Sequence, residues 1–247
     1  MVVKMYSTAY ILPAFNETDS IYQLIGNLNK EITKEDFLIV VDDSVSSFTE
    51  KYVRLAFSKV TNLDQDKLFL IRNHQKNGRG KSVRQGLNFA ISNTNASVFV
   101  EMDSDGSHSA EMAKLIATSI TGYDYVIGSR YLPGSSIKGW SFTRIVFSKI
   151  INKLITLILG HKISDWTNGL RAYSRESVIT LLKHEFVTQG FISLSEQAIV
   201  LASNHARLKE VPIIFYPRSH GKSTVTWKEI KDSFFGLVTI YRYKNLK

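Results

Sequence analysis

Short apolar runs alternate with stretches of helical periodicity through the first half of the chain. Apolar runs of this length are typical of buried strands, and apolar residues spaced three and four apart are typical of helices. Strand and helix alternate at roughly 30-residue intervals, as in βαβ units with right-handed crossovers. We therefore expect an α/β domain with a mainly parallel sheet. Strands are predicted at 9–12, 37–41, 68–71, 97–102 and 125–127, and helices at about 20–30, about 52–60, 79–91 and 110–120.

The fourth predicted strand ends in two carboxylates, Asp103 and Asp105, followed by Gly106. The second strand ends in Asp42-Asp43, and parallel strands present such residues at one edge of the sheet, where open α/β folds bind ligands. Oxygens spaced in this way suit Mg2+ or Mn2+, which also takes phosphate oxygens. Taken alone, Asp-Ser-Asp-Gly is better explained by ordinary turn chemistry, and helix N-capping explains Asp42-Asp43 equally well.

Composition limits the class of protein. A chain of 247 residues with 44% hydrophobic and 21% charged residues is an ordinary globular protein of one large domain or two small ones. The absence of cysteine excludes disulfides, thiolate metal sites and a cysteine nucleophile. The N-terminal segment lacks the apolar core of a signal peptide, so we expect a cytoplasmic protein.

Charge is distributed unevenly along the chain. Residues 1–127 carry 13 Lys and Arg against 15 Asp and Glu, whereas residues 128–247 carry 18 against 7. This asymmetry indicates that the second half meets an anionic partner, such as nucleic acid, acidic lipid or a phosphorylated substrate.

A basic glycine-flanked segment, Gly78-Arg-Gly-Lys-Ser82, resembles the end of a P-loop. The first glycine that the motif requires would fall at position 75, which is Gln75. Without it the backbone loses the freedom to wrap phosphates, so we reject a P-loop. The segment can still touch phosphate at a helix N-terminus.

The segment 142–159 is predicted to form an amphipathic helix, with polar residues mostly on one side and Ile, Leu, Phe and Val on the other. Its apolar stretch is too interrupted to cross a membrane. Two environments remain open: the protein core, or an anionic membrane surface to which its basic residues point. Arg144 and Ser148 lie one turn apart and project from one face toward a common phosphate.

Several phrases of the sequence, in order along nearly its whole length, resemble family 2 glycosyltransferases of the GT-A fold. The later phrases resemble the dolichyl-phosphate and polyprenyl-phosphate sugar synthases. The phrases are ILPAFNE (11–17), IVVDDS (39–44), NGRGKSVRQGLNFA (77–90), VEMDSDGSH (100–108), GSRY (128–131), GWSFTRIVFSKIINKLI (139–155), DWTNGLRAYSRE (165–176), EVPIIFYPRSHGKST (210–224) and KEIKDSFFGL near the C-terminus.

The resemblance implies a single GT-A catalytic domain over 1–247, with a nucleotide-sugar half at 1–131 and an acceptor-binding, membrane-facing half at 132–247. It also implies roles for individual residues. Asp103, Asp105 and Arg130 are expected in catalysis; Pro13, Phe15, Glu17, Asp42, Arg144, Ser148, Arg218 and Lys222 in substrate binding; and Asp103, Asp105 and Ser107 around Mg2+ or Mn2+, with Asp105 nearest the ion.

Two positions depart from the family pattern. The first acidic pair is usually followed by Ser-x-Asp-Gly-Thr, but Ser44–Phe48 lacks both the Asp and the Gly, which bears on the base and ribose contacts. Ser107 also stands where relatives often carry either Gln or Ser, and Ser is the weaker ligand of the two.

The predicted reaction moves a sugar, with inversion, from a nucleotide-diphosphate sugar of the GDP-mannose or UDP-glucose type to a polyprenyl or dolichyl phosphate. A phosphate monoester is already ionised near neutral pH, so it needs no side-chain base. The expected partners are both substrates, an anionic membrane surface and a possible membrane-anchoring subunit, with the protein peripheral at the membrane and no nucleic acid bound.

Two alternatives remain open at this point. A saccharide hydroxyl acceptor would need a carboxylate base, for which Asp165 is the candidate. A nucleic-acid-binding protein is suggested only by the net charge of +9, without a recognition motif. Arg171 is a further candidate for phosphate, although Asp165 or Glu176 could simply pair with it. Any single arginine could also be a solvated surface charge.

Overall fold

Seven strands form one sheet in the part of the chain that the computed structural model describes, residues 6–188, 192–218 and 235–242. All neighbouring pairs are parallel except those that involve β7, which runs antiparallel to both β4 and β5. The sheet order is β3-β2-β1-β4-β7-β5-β8, and β6 pairs with β9 in a separate two-stranded ribbon. The strands are β1 (Thr8–Ala14), β2 (Phe37–Asp42), β3 (Leu68–Arg72), β4 (Val98–Glu101), β5 (Tyr125–Ser129), β6 (Ser136–Ile137), β7 (Arg171–Ser174), β8 (Leu208–Pro212) and β9 (Ile214–Phe215).

Helices cover both faces of this sheet, so β1, β2, β4 and β5 are buried along their whole length and are mainly apolar. Tyr10 and Leu12 of β1 face one layer, whereas Ala9 and Ile11 face the other, as strand alternation requires. The first layer holds α1 (Asp19–Glu31), α2 (Phe48–Phe57) and α4 (Ala110–Thr118). The second layer holds α3 (Arg79–Asn93), α5 (Phe142–Leu159), α6 (Arg175–Lys183), α7 (Ile192–Ser203) and helical residues 235–242, while Gln65–Lys67 form a 3-10 turn.

The antiparallel β7 determines which loops meet at the site. In the β4–β7 pair Glu101 lies opposite Arg171, so the start of β7 is at the edge where β4 ends. The segment 160–170, which connects α5 to β7, is thereby carried to the carboxyl edge of the parallel strands. Strands from both sides of residue 131 share the sheet, and the functional division at that residue stays a prediction.

Within the described ranges, none of the helices combines the length and apolar character needed to cross a bilayer. This agrees with the sequence argument that α5 is interrupted by polar residues. The α5 boundaries agree with the predicted 142–159, and Gly160 ends the helix in the left-handed conformation.

Replacement of Gly86 by Ala should destabilise the protein, because a Cβ there would lie 2.5 Å from Ile11 Cγ2 and 3.1 Å from Val41 Cγ2. Overpacking of this kind costs about 1–3 kcal/mol of unfolding free energy. Gly26→Ala is the matched control, because its Cβ would have nothing within 4 Å and alanine favours a helix by about 0.8–1 kcal/mol. In urea denaturation, the midpoint of Gly86→Ala should be lower than that of wild type, whereas the midpoint of Gly26→Ala should not be lowered. Equal midpoints for Gly86→Ala and wild type would contradict the packing of α3 on β1.

Candidate active site

The acidic residues of two strands lie at one edge of the sheet, as the sequence predicts. β1 pairs with both β2 and β4 in parallel register, so Asp42 and the Asp103–Asp105 turn follow strands that flank the same central strand. Ser104 ties the turn to that strand through its hydroxyl, which donates to the Pro13 carbonyl at 2.7 Å. The turn is therefore fixed over the end of β1.

Asp105 is the better placed of the two carboxylates to meet a cation. Its Oδ1 accepts from the backbone N–H of Ser107 at 3.0 Å, and its Oδ2 lies 2.7 Å from Arg218 Nε. The segment that carries Arg218 rests on the same turn, because the Tyr216 N–H donates to the Ser107 carbonyl at 3.1 Å. A positively charged group thus already contacts the carboxylate predicted to hold the metal.

Asp103 is held by an arginine that the sequence analysis did not single out. Arg79 Nε lies 2.6 Å from Asp103 Oδ1, and Nη2 donates to the Gly169 carbonyl at 3.0 Å. Burial alone would raise the pKa of Asp103, but the charge and hydrogen bond of Arg79, together with His108 and Arg218, outweigh burial and lower the pKa to about 2. Any Cβ at position 169 would collide with the guanidinium. Arg79 belongs to the segment 78–82 that resembles the end of a P-loop. In the structure this arginine contacts a carboxylate.

His108 and Asn168 fix the backbone of Asp103. Asn168 Nδ2 donates to the Gly128 carbonyl at 2.5 Å, which turns its Oδ1 toward His108 Nε2 at 2.9 Å. That arrangement places the imidazole proton on Nε2, and Nδ1 accepts the Asp103 N–H at 3.1 Å. Both ring nitrogens of the histidine are therefore engaged, and Nδ1 is also 3.9 Å from a carboxylate oxygen of Asp103.

Arg130 and Asp165 form a buried bidentate pair. Nε and Nη2 of Arg130 lie 2.7 and 2.8 Å from the two Asp165 oxygens, and Nη2 also donates to Thr167. Burial alone would raise the pKa of Asp165, but Arg130 lowers it below the ordinary value. Trp140 and Phe215 lie about 5 Å from the guanidinium carbon, which gives the cation a largely aromatic surrounding.

Arg144 completes a cluster of three guanidinium groups. Its guanidinium carbon stacks 3.9 Å from the centre of the Trp140 ring. Burial, followed by the positive charges of Arg218 and Arg130, lowers the pKa of Arg144. Ser148, one turn along α5, accepts a hydrogen bond from the Tyr131 hydroxyl at 2.5 Å. The predicted residues Arg130, Arg144, Ser148 and Arg218 thus lie in one region.

Glu17 and Phe15 lie just after β1, at the same edge of the sheet. The pKa of Glu17 is raised, chiefly by burial and also by the negative charges of Asp105 and Asp103, which places it near the acidic turn. Phe15 keeps 39% of its surface exposed, with the Lys76 ammonium 4.6 Å from the centre of its ring. The side chain of Pro13 is buried beneath them.

Asp42 and Asp43 do not cap the helix that follows them. Ser47 is the residue before α2, and neither aspartate bonds to that helix. Asp42 is fully buried, with Oδ1 accepting the Ser44 N–H and Oδ2 3.3 Å from Arg72 Nε. Asp43 accepts from the N–H groups of residues 77 and 78, so it holds the loop that leads into α3.

The altered segment Ser44–Phe48 is held by Arg72, whose Nη2 donates to the carbonyls of Ser44 and Ser46. Nη1 of the same guanidinium lies 2.5 Å from Glu50 Oε2. An arginine side chain therefore supports this segment, where the family pattern would have Asp and Gly.

Two other predicted residues have different outcomes. Arg171 is fully buried and donates to the carbonyls of Asn168, Trp166 and Leu194 and to the Tyr125 hydroxyl. The suggestion that it contacts phosphate is therefore wrong, because its donors are used inside the fold. Lys222 lies outside the described residues.

Comparisons with known proteins identify the family to which this chain is similar. The family model described as "Glycosyl transferase family 2" matches residues 10–182. The polyprenol monophosphomannose synthase of Mycolicibacterium smegmatis is 31% identical over 232 residues, covering 92% of this chain and 84% of the relative. The dolichol-phosphate mannosyltransferase of Pyrococcus furiosus is 32% identical over 237 residues, covering 94% of this chain and 62% of the relative.

A solved structure supports the fold. Glucosyl-3-phosphoglycerate synthase from Mycobacterium tuberculosis, in complex with Mn2+, UDP and glucosyl-3-phosphoglycerate, superposes with a TM-score of 0.66 at 16% identity. The match covers 97% of this chain and 80% of the other. The predicted GT-A fold is confirmed.

Replacement of Asp165 by Asn should strongly destabilise the protein near neutral pH, because it leaves Arg130 buried beside a neutral amide. Breaking a buried pair in this way costs about 3–5 kcal/mol. Since the folded-state pKa of Asp165 is lowered, its stabilisation is complete above the ordinary value of about 3.9 and is lost as pH falls through the lowered pKa.

Urea midpoints of wild type and variant should therefore differ most at pH 7 and converge as the pH falls below about 4. Asp124→Asn is the control, because Asp124 pairs with Arg207 at the exposed surface and such pairs contribute about 0–1 kcal/mol. A difference between wild type and Asp165→Asn that stays constant down to pH 3 would contradict the pairing.

Proposed function

We propose a function for this chain, which belongs to glycosyl transferase family 2. It transfers a sugar to the phosphate of a polyprenyl or dolichyl lipid, the class of acceptor named for its relatives in two genera. The donor is a nucleotide-diphosphate sugar. The observation that carries the proposal is the cluster of Arg130, Arg144 and Arg218 facing the carboxylates at the end of β4.

The acidic turn suits a divalent ion that is completed by substrate. No group of three His, Cys, Asp or Glu side chains close enough to hold an ion occurs in the described ranges. Both aspartates contact an arginine, but the partner of Asp105, Arg218, is 38% exposed against 20% for Arg79, so Asp105 is more easily freed to act as the main protein ligand. Mg2+ commonly binds through one or two carboxylates together with substrate phosphates and water. Asp103 and Ser107 then support the turn more than the ion.

Mg2+ or Mn2+, when bound, supplies electrostatic stabilisation of the leaving diphosphate. Phe15 and Glu17 border the adjoining surface at the end of β1, where the nucleotide would lie. The carboxylate of Asp42 is buried and accepts a hydrogen bond from the Ser44 N–H. Asp42 therefore acts on the nucleotide indirectly, by positioning the backbone of Ser44. This differs from the direct base and ribose contact expected from the sequence.

The guanidinium cluster suits the acceptor phosphate. Burial and then the charges of Arg218 and Arg130 lower the pKa of Arg144, so an anion placed among the three guanidinium groups would stabilise them. Arg130 is held rigidly by Asp165, so it offers a fixed charge at low entropic cost. Ser148, on the next turn of α5, and Tyr131, whose hydroxyl donates to Ser148, add hydroxyl groups to this region.

The reaction needs alignment of two anions more than it needs a proton acceptor. The acceptor phosphate is ionised near neutral pH, so its oxygen attacks the anomeric carbon directly while the nucleotide diphosphate leaves from the opposite side. One such displacement inverts the anomeric configuration. The arginines offset the repulsion between the two anionic substrates.

Asp165 is poorly suited to act as the base that a saccharide hydroxyl acceptor would require. Both its oxygens are engaged by Arg130, the side chain is fully buried, and its pKa is lowered. A general base works best with a pKa near the operating pH. The geometry therefore favours the lipid phosphate over a hydroxyl acceptor.

Helix α5 presents an apolar surface that suits the lipid environment of the acceptor. Its polar residues Arg144, Ser148 and Asn152 face the site and the fold, whereas Phe142 is 80% exposed and Leu157 73% exposed. We call the exposed apolar residues of this helix the α5 apolar face. They are Phe142, Val146, Phe147, Ile150, Leu154, Leu157 and Ile158. This face would rest on an anionic membrane surface, which makes the protein peripheral at the membrane.

Incubation of the full chain and Mn2+ with a panel of nucleotide sugars, with and without polyprenyl phosphate, tests the proposal. Mass spectrometry should detect a glycosylated polyprenyl phosphate only when the lipid is present. Asp105→Asn should reduce transfer at least a hundredfold, because electrostatic stabilisation at a metal contributes several kcal/mol.

Asp66→Asn is the matched control, because Asp66 lies on the surface in the 3-10 turn, and it should retain wild-type transfer. Glycosylation of soluble saccharides in the absence of lipid, or near-normal transfer by Asp105→Asn, would contradict the proposal.

Arg218 must leave Asp105 before an ion can bind there, so Arg218→Gln should bind Mn2+ more tightly in the absence of nucleotide. A charge-assisted hydrogen bond, reduced here by the partial exposure of Arg218, corresponds to roughly a threefold to tenfold gain in affinity. The same variant should transfer sugar more slowly, because it lacks one of the three acceptor guanidiniums. Electron paramagnetic resonance of free Mn2+ measures the affinity independently of activity.

Arg207→Gln, which opens an exposed pair with Asp124, should change neither quantity. Unaltered Mn2+ affinity in Arg218→Gln would show that the Arg218–Asp105 contact does not compete with the ion.

A further inference from the structure

A second basic cavity lies on the other side of Tyr131 from the guanidinium cluster. It has a volume of about 370 Å3 and opens between α5 and the segment that precedes β7. Its lining includes Lys149 and Lys153 of α5, together with Lys162, Ser164 and Glu210. None of the three acceptor arginines lines it, so this cavity is distinct from the guanidinium cluster, although Tyr131 borders both.

The three lysines of this cavity are available to an anion. None of them forms an ion pair within the ranges that the structure describes. The one carboxylate in the lining, Glu210, is already used: it accepts from the Ser164 N–H and hydroxyl and from the Asp165 N–H, at 2.7–3.1 Å. The cavity therefore has three ammonium groups against one carboxylate that forms no ion pair with them, which leaves an excess of positive charge.

The cavity adjoins the α5 apolar face. At about 100° per residue, Lys149 and Lys153 project beside Phe142 and Val146, at the margin of that face. Lys149 also lies 5.9 Å from the centre of the Tyr131 ring, so its ammonium is directed toward the cavity. Lysines at the border of an apolar helix face keep their ammonium groups at the level of lipid headgroups.

We propose that this cavity binds the headgroup phosphate of an anionic phospholipid, which holds α5 against the membrane while the acceptor lipid enters the active site. The proposal rests on the membrane-facing orientation of α5 given under the proposed function. It adds a lipid site that contributes to docking and takes no part in the transfer reaction.

Vesicle binding of the full chain tests this site. Wild type should bind phosphatidylcholine vesicles that contain phosphatidylglycerol much more tightly than vesicles of phosphatidylcholine alone. Each lysine near an anionic surface contributes to the free energy of membrane binding. The double variant Lys153→Gln/Lys162→Gln should therefore bind the anionic vesicles at least roughly tenfold more weakly than wild type. Lys34→Gln/Lys51→Gln is the matched control, because it removes equal charge from exposed positions near the first helical layer.

The outcomes separate a specific site from general charge attraction. An equal loss in both double variants, or equal binding of wild type to both kinds of vesicle, would overturn the proposal. Soluble glycerol phosphate should not compete with anionic vesicles at comparable phosphate concentration. Competition at that level would assign the cavity to a free phosphate metabolite and overturn the lipid assignment.

Transfer activity distinguishes this site from the proposed function. With a short-chain polyprenyl phosphate dispersed in detergent, Lys153→Gln/Lys162→Gln should transfer sugar at the wild-type rate, because neither lysine contacts the substrates there. If wild type transfers no sugar but binds anionic vesicles through these lysines, the proposed function is contradicted and the lipid site is supported. Loss of transfer in the double variant alone would show that the cavity belongs to the acceptor site.

Discussion

Three carboxylates at the carboxyl edge of this sheet each have a positive charge beside them, since an unpaired charge in such a place is strongly unfavourable. Asp103 is paired with Arg79, Asp105 with Arg218, and Asp165 with Arg130. Every pair joins segments that are distant in sequence. The same interactions that permit the acidic turn to be buried also bring the loop before α3, the β5 end and the segment after β9 to one place.

The pairs differ in how easily they open. Asp165 and Arg130 are almost completely buried and share two hydrogen bonds, so this pair serves as a fixed support. Arg218 keeps 38% of its side chain exposed and makes a single ionic contact with Asp105, so an ion or a phosphate can displace it at low cost. Arg144 has two like charges nearby. A rigid pair, a displaceable pair and a repelled arginine together favour the arrival of an anion.

The sequence predicted the parts of the site that depend on local pattern. Apolar runs located β1 to β5, and the Asp103–Asp105 turn followed from the end of β4. Pairings across the fold were less accessible: β7 is short and polar at its start, and its position between β4 and β5 depends on Arg171, whose burial among carbonyls no local signal reveals. Arg79 was hidden because its motif suggested phosphate, whereas only the fold brings it to Asp103.

Helix α5 shows why composition alone left two environments open. Its periodicity separates polar from apolar residues but does not say which side faces the protein. Asn152 decides the orientation: it accepts the Trp166 N–H at 2.7 Å and donates to the Ser148 carbonyl, so the polar side is required inside. Ile155 and Leu159 are buried on the same side as Asn152, so the inward side is mixed, and the α5 apolar face is left outward as a second apolar surface. An arrangement that exposes Phe142 and Leu157 while burying Asn152 is stable in water only at a cost, and contact with a lipid surface removes that cost.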